Sequence, residues 1–136
     1  MTARLTTAYR TVDATTSDPV VLTTMLFDGA IKAMKKARLQ NEQNDRRQFL
    51  DEITKAQMIV GELLSTLDLE HGELPRTLGG IYAYCLRALT DASLGNMARL
   101  DEAQRHISQI GDSWKVATSS FRGRLGSGST LQGAAA

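Results

Sequence analysis

The chain has 136 residues, 42% of them apolar and 23% charged, with 16 Lys+Arg against 15 Asp+Glu for a formal charge of +1. This is one domain's length with an ordinary globular composition, enough to bury a core without disulfide or metal staples. The balanced charge argues against nucleic-acid binding, which draws on a basic excess, and no stretch approaches the roughly 18 apolar residues of a membrane span.

Residues 1–16 form a polar N-terminal arm in which Leu5, Tyr9 and Val12 are spaced along one side of a short helix. The arm has no continuous apolar region and does not read as a secretory signal. Ser17-Asp18-Pro19 is a helix start: Ser or Asp caps free N–H groups, and Pro19 suits the first helical position. The spacing predicts helix one over residues 19–39, followed by a polar loop at 40–44 and a cap from Asn44 or Asp45. Helix two, over 46–67, carries Phe49, Ile53, Ala56, Val60, Leu63 and Leu67 at threes and fours; residues 69–72 form the turn. Helix three presents Leu74, Leu78, Ile81, Cys85, Leu89 and Ala92, with Pro75 tolerated in its first turn. Gly95-Asn96 ends helix three and caps helix four, whose apolar face is Leu100, Ala103, Ile107, Ile110, Trp114, Ala117 and Phe121. From Gly123 the chain turns Gly/Ser/Ala-rich, which predicts disorder.

The fold expected is all-α, an antiparallel up-down-up-down four-helix bundle with a flexible N-terminal arm and a disordered C-terminal tail. The boundaries are 1–16 for the arm, 17–121 for the bundle and 122–136 for the tail. Short connections force sequential helices to run antiparallel.

Helix one is more apolar than a bundle stripe a little over about 100° wide requires. Leu22, Met25, Leu26, Gly29, Ala33 and Ala37 make one face, and Val20, Phe27, Ile31 and Met34 make a second beside it. Helix three is similarly broad, with Tyr82 and Leu86 on one side of its core stripe and Tyr84 on the other. Two readings stand: these helices are buried on two sides, or they expose a groove for a partner's amphipathic segment that the arm covers when empty.

No catalytic constellation emerges. His71 lies in a turn and His106 on helix four, with no paired Glu-x-x-His to hold two metals. A phosphorelay histidine at His106 would want a basic residue soon after it, and Gln109 is neutral. Cys85 lies on the core stripe without a nearby basic cluster and reads as a small hydrophobe; as a lone cysteine it also suits a reducing compartment. Gly79-Gly80 lacks the strand and lysine of a phosphate loop and weakens helix three by about 1 kcal/mol per glycine. Lys32, Lys35, Lys36 and Arg38 form a charge run whose ordinary meaning is a solvated face.

Several strings resemble the flagellin-specific export chaperones, the FliS family. They are Ser17-Asp18-Pro19 leading to Met25-Leu26-Phe27-Asp28-Gly29-Ala30, then Lys55-Ala56-Gln57 with Glu62-Leu63 and Leu67-Asp68. Ile81-Tyr82-Ala83-Tyr84, Ala92-Ser93-Leu94 with Asn96, Trp114-Lys115 and, in the arm, Ala8-Tyr9 continue the match over residues 8–117. Glu73-Leu74-Pro75-Arg76, Gly79-Gly80, Ala83 and Cys85 depart from the family pattern in helix three. The resemblance implies a cytoplasmic chaperone, not an enzyme, without metal or cofactor. Its client would be the disordered C-terminal segment of flagellin, kept from premature polymerisation and delivered to the flagellar type III export gate. The groove candidates under that reading are Phe27, Ile31, Met34, Tyr82 and Leu86, with Leu5 and Tyr9 as the movable cover. A homodimer remains open, as do a self-associating bundle and a phosphorelay module as alternative functions.

Overall fold

The computed structural model describes the backbone of residues 18–130 and the side chains of residues 18–121. Within that span the chain forms four helices and no strand: α1 (Pro19–Glu42), α2 (Arg46–Ser65), α3 (Glu73–Ser93) and α4 (Met97–Thr130). The arm, with Leu5 and Tyr9, and residues 131–136 lie outside the described residues.

Local chemistry sets most boundaries. Asp18 accepts from the Val20 N–H at 2.9 Å with Pro19 opening α1, so the cap is the aspartate of the Ser17-Asp18 pair. α1 runs to Glu42 rather than stopping near Leu39, because nothing in Gln40-Asn41-Glu42 breaks a helix; the reversal waits for Asn44, at φ 59°. Asp45 then caps α2 through the Gln48 N–H. α2 stops at Ser65, two residues before the expected end. There the Ser65 and Thr66 hydroxyls donate back to the Glu62 and Leu63 carbonyls, each at 2.7 Å. α3 closes in a Schellman arrangement: Gly95 N–H bonds the Ala92 carbonyl and Asn96 N–H the Asp91 carbonyl, with Gly95 at φ 109°. A side chain at Gly95 would strain that backbone.

Cross-helix contacts show alternating directions. Arg38 near the end of α1 bonds Asp101 near the start of α4, whereas Thr24 and Asp28 near the start of α1 bond Trp114 and Lys115. Asp91 meets Arg99 and Cys85 meets Ala103 between α3 and α4, and Arg46 and Gln57 of α2 reach Ser93 and Thr90 of α3. The helices form a ring in chain order, with α4 closing on α1. This is the up-down-up-down bundle.

The core contains Phe27, Met34, Phe49, Ile53, Ile59, Leu63, Leu89, Leu100 and Ile107, and no polar or charged residue among those described is buried. Alanines 30, 33, 37, 56, 88, 92 and 103 are also buried and let helix axes approach closely. Gly111 serves the same end between α1 and α4, since a Cβ there would sit 3.3 Å from the Phe27 Cβ. The ring explains the breadth of α1. Phe27 of its second stripe packs on Gly111 and Trp114 of α4, while Leu26, Ala33 and Ala37 of its first lie in the buried core.

Candidate functional site

The apolar face of α3 begins at Leu74 and that of α4 ends at Phe121. Because α3 and α4 are antiparallel, those two ends lie at the same end of the bundle. Along α3, burial declines from Cys85, fully enclosed, through half-buried Ile81 and Leu78 to Leu74, which is 68% exposed. Along α4 it declines from buried Ile107 through half-buried Ile110 and Trp114 to exposed Ala117 and Phe121, the latter 53% exposed. Both helices keep their apolar periodicity while losing their partner. The two exposed stretches lie at one end of the bundle and together mark a candidate apolar seam, closed toward Cys85 and Ile107.

The closed end is held by a polar cluster. Tyr84 donates its hydroxyl proton to Glu102 and accepts from Arg99 Nη1 at 2.5 Å. Arg99 also donates to Asp91 at 2.8 Å and to the second Glu102 oxygen at 2.9 Å, and its guanidinium lies 4.8 Å from the Tyr84 ring centroid. Asp91 first, then Tyr84 and Glu102, hold the Arg99 pKa above its ordinary value. The Tyr84 hydrogen bond, reinforced by Arg99, holds the Glu102 carboxyl below the ordinary carboxylate value. His106 packs edge-on against Tyr84 at 5.8 Å.

Toward the open end, Trp114 reaches across to α1. Its indole N–H donates to the Thr24 hydroxyl at 2.9 Å, Thr24 in turn donates to the Val20 carbonyl, and the ring lies 6.3 Å from Phe27. Trp114 is thereby tied to the first turns of α1, which start at this same end.

The sequence-derived groove residues separate into two groups. Phe27, Met34 and Tyr82 are core residues, at 2%, 0% and 3% exposure, and as placed they offer no surface to a partner. All three belong to the buried core cluster, and α1 and α3 each pack on two neighbouring helices. Burial pushes the Tyr82 phenol up to about 12 and the Cys85 thiol up to about 11, leaving both neutral and Cys85 inert. Ile31 and Leu86 are half-buried and keep an outward edge, Ile31 on α1 and Leu86 beside the Gln57–Thr90 hydrogen bond joining α2 and α3. Leu74, Ala117 and Phe121, which the sequence assigns to core stripes, are exposed instead. The signal available for them was position: all three lie at the ends of their stripes.

Among the described residues no group of side chains could hold a metal ion, and no helix is long and apolar enough to cross a membrane. A family model described as flagellar protein FliS matches residues 1–120, nearly the whole of the chain. The chain belongs to the FliS family. Its relatives include the flagellar secretion chaperone FliS of Bacillus subtilis, 35% identical over 124 residues, covering 90% of this chain and 92% of the relative. The protein of that name from Salmonella typhimurium is 37% identical over 102 residues, 73% of this chain and 76% of the relative. That from Campylobacter jejuni is 30% identical over 112 residues, covering 79% and 86%. The family match covers the arm as well as the bundle.

Proposed function

We propose that this chain is a cytoplasmic secretion chaperone that binds the C-terminal segment of flagellin, prevents its premature polymerisation and assists its delivery to the flagellar type III export gate. Membership of the FliS family supports the chaperone role. The observation that carries the binding mode is the open apolar seam between the first turns of α3 and the second half of α4. An amphipathic client helix laid there covers Leu74, Ala117 and Phe121 and continues the interrupted core.

The client orders as it binds, so its apolar contacts must offset several kcal/mol of ordering, typically about 2–5. A single seam is short for that task. The outward edges of Ile31 and Leu86 extend the client's path around the bundle, as a wrapped segment requires. Leu5 and Tyr9, outside the described residues, remain the proposed cover that the client replaces. The role is binding, with no chemical step.

Titration calorimetry of the full chain against the C-terminal ~40 residues of flagellin tests this, that length being of the order that buries a large area on coupled folding. Saturable binding near one to one with a large negative heat-capacity change is the expected result. Absence of saturable binding, with the bundle folded, refutes the reading.

A further inference from the structure

The outer face of α1 carries charge that the bundle does not neutralise. Lys32, Lys35 and Lys36 are exposed, and no hydrogen bond or ion pair forms at any of them among the described residues. The carboxylate placed to pair with Lys32 is Asp28, one turn earlier, which is the favoured order for such a pair. Asp28 instead reaches across to Lys115 of α4 at 2.6 Å. Asp101, one turn before Arg105 on α4, is likewise taken by Arg38 of α1. Both bridges tie α1 to α4, and each leaves a cation behind: Lys32 and Arg105 are exposed and unpaired among the described residues. Lys32 also stands three and four residues from Lys35 and Lys36, spacings at which like charges destabilise a helix. This surplus charge opposes folding, and no contact among the described residues offsets it.

The three lysines rim a shallow, open depression along α1 whose apolar residues are half-buried Ile31 and Leu39, the latter 48% exposed. Lysine stems widen the apolar floor while the ammonium groups stand at its edge. At about 3.6 residues per turn, Lys35 and Lys36 fall on either side of Leu39, and Ile31 and Leu39 lie about 12 Å apart along the axis. A flat lipid surface would meet the lysines but could not follow the depression down to Ile31; a convex helix meets both. We propose that this strip docks an acidic amphipathic helix of a second, different protein, with apolar residues two turns apart on Ile31 and Leu39 and carboxylates against Lys32, Lys35 and Lys36. The strip is small beside the ~1,200–2,000 Å² of a stable specific interface, so binding is weak and salt-sensitive. Of the residues placed on the client's path it shares only Ile31. Substitutions confined to the lysines therefore separate this binding from that of the flagellin segment.

The probe is a fluorescein-labelled, alanine-rich peptide of about 15 residues, long enough to be partly helical, with two leucines two turns apart flanked by glutamates. One control peptide carries lysine in place of glutamate, and another puts the leucines on opposite faces. Anisotropy with the full chain should show saturable binding of the acidic peptide alone, weakened at least about fivefold between about 50 and about 300 mM salt. K35E/K36E should weaken binding at least about tenfold while titration with the flagellin segment stays unchanged. Its urea midpoint should be no lower than the wild type's, because Lys32 then stands near two glutamates rather than two lysines. Equal binding of all three peptides, or of the acidic peptide by wild type and K35E/K36E, overturns the proposal. A lowered midpoint overturns it by making the lysines part of what holds the fold. Binding to phosphatidylserine vesicles without binding to the acidic peptide assigns the strip to lipid and overturns it as well.

Discussion

The two adjacent glycines of α3 provide a sharp test of the packing. A methyl group built on Gly80 meets no atom within 4 Å, whereas one built on Gly79 would come within 2.9 Å of the Leu69 Cδ2. Neither residue has positive φ, so alanine fits the backbone at both positions. Helix propensity and a less flexible unfolded chain favour alanine by about 0.5–1 kcal/mol at each site. At Gly80 nothing opposes this gain, and Gly80→Ala should raise stability by nearly that amount, about 2–5 °C in Tm for a chain of this size. At Gly79 the new methyl displaces the Leu69 side chain from its seat over α3. Leu69 is the flexible end of a half-exposed loop residue, so the loss is moderate, about 1–2 kcal/mol, and the net effect is neutral to destabilising. Urea unfolding of the two variants side by side, with m-values unchanged, reads the difference directly. Equal stabilisation by both substitutions would refute the placement of Leu69 against Gly79, and with it the docking of the α2–α3 connection.

Other outcomes follow from the same contacts. Phe27→Ala empties the space between α1, Gly111 and Trp114 and should cost about 3–5 kcal/mol, read as a lower urea midpoint. Tyr84→Phe removes a hydroxyl that serves both Glu102 and Arg99, which remain bonded to each other; the expected loss is about 1 kcal/mol by the same measurement. Glu102 has a folded pKa below its unfolded value, so its stabilisation is complete above the ordinary carboxylate range and is lost as pH falls through the folded pKa. Glu102→Gln should therefore flatten the acid limb of the stability–pH profile while altering the profile above neutrality little. Leu74→Ser and Phe121→Ser should change stability by no more than about 0.5 kcal/mol, because both side chains are already exposed, yet weaken binding of the flagellin segment about tenfold in calorimetry.

Much of the bundle was legible because capping is local. Asp18-Pro19, Asp45 and Gly95 each mark a boundary through chemistry that needs no tertiary context. The expectation missed the end of α1 because Gln40-Asn41-Glu42 is polar without being helix-breaking. The end of α2 depends on hydroxyl back-bonds that sequence spacing does not reveal. The site was less legible for a physical reason. Periodicity tells which face of a helix is apolar, not whether a neighbouring helix extends far enough to cover it. Phe27, Met34 and Tyr82 looked surplus because α1 and α3 each touch two neighbours, and the surplus is consumed in the core. Leu74, Ala117 and Phe121 looked like core because they continue stripes that are buried elsewhere. The helical backbone of α4 continues to Thr130, beyond the expected bundle end at residue 121, while the residues it packs on the core end at Trp114.

The most direct test of the client seam is hydrogen exchange of the full chain with and without the flagellin C-terminal segment. The account predicts added protection in the first two turns of α3 and in α4 from Ile110 to Phe121, where core-facing positions lose their cover. Protection confined to other surfaces, with those two stretches exchanging as in the free protein, would contradict it.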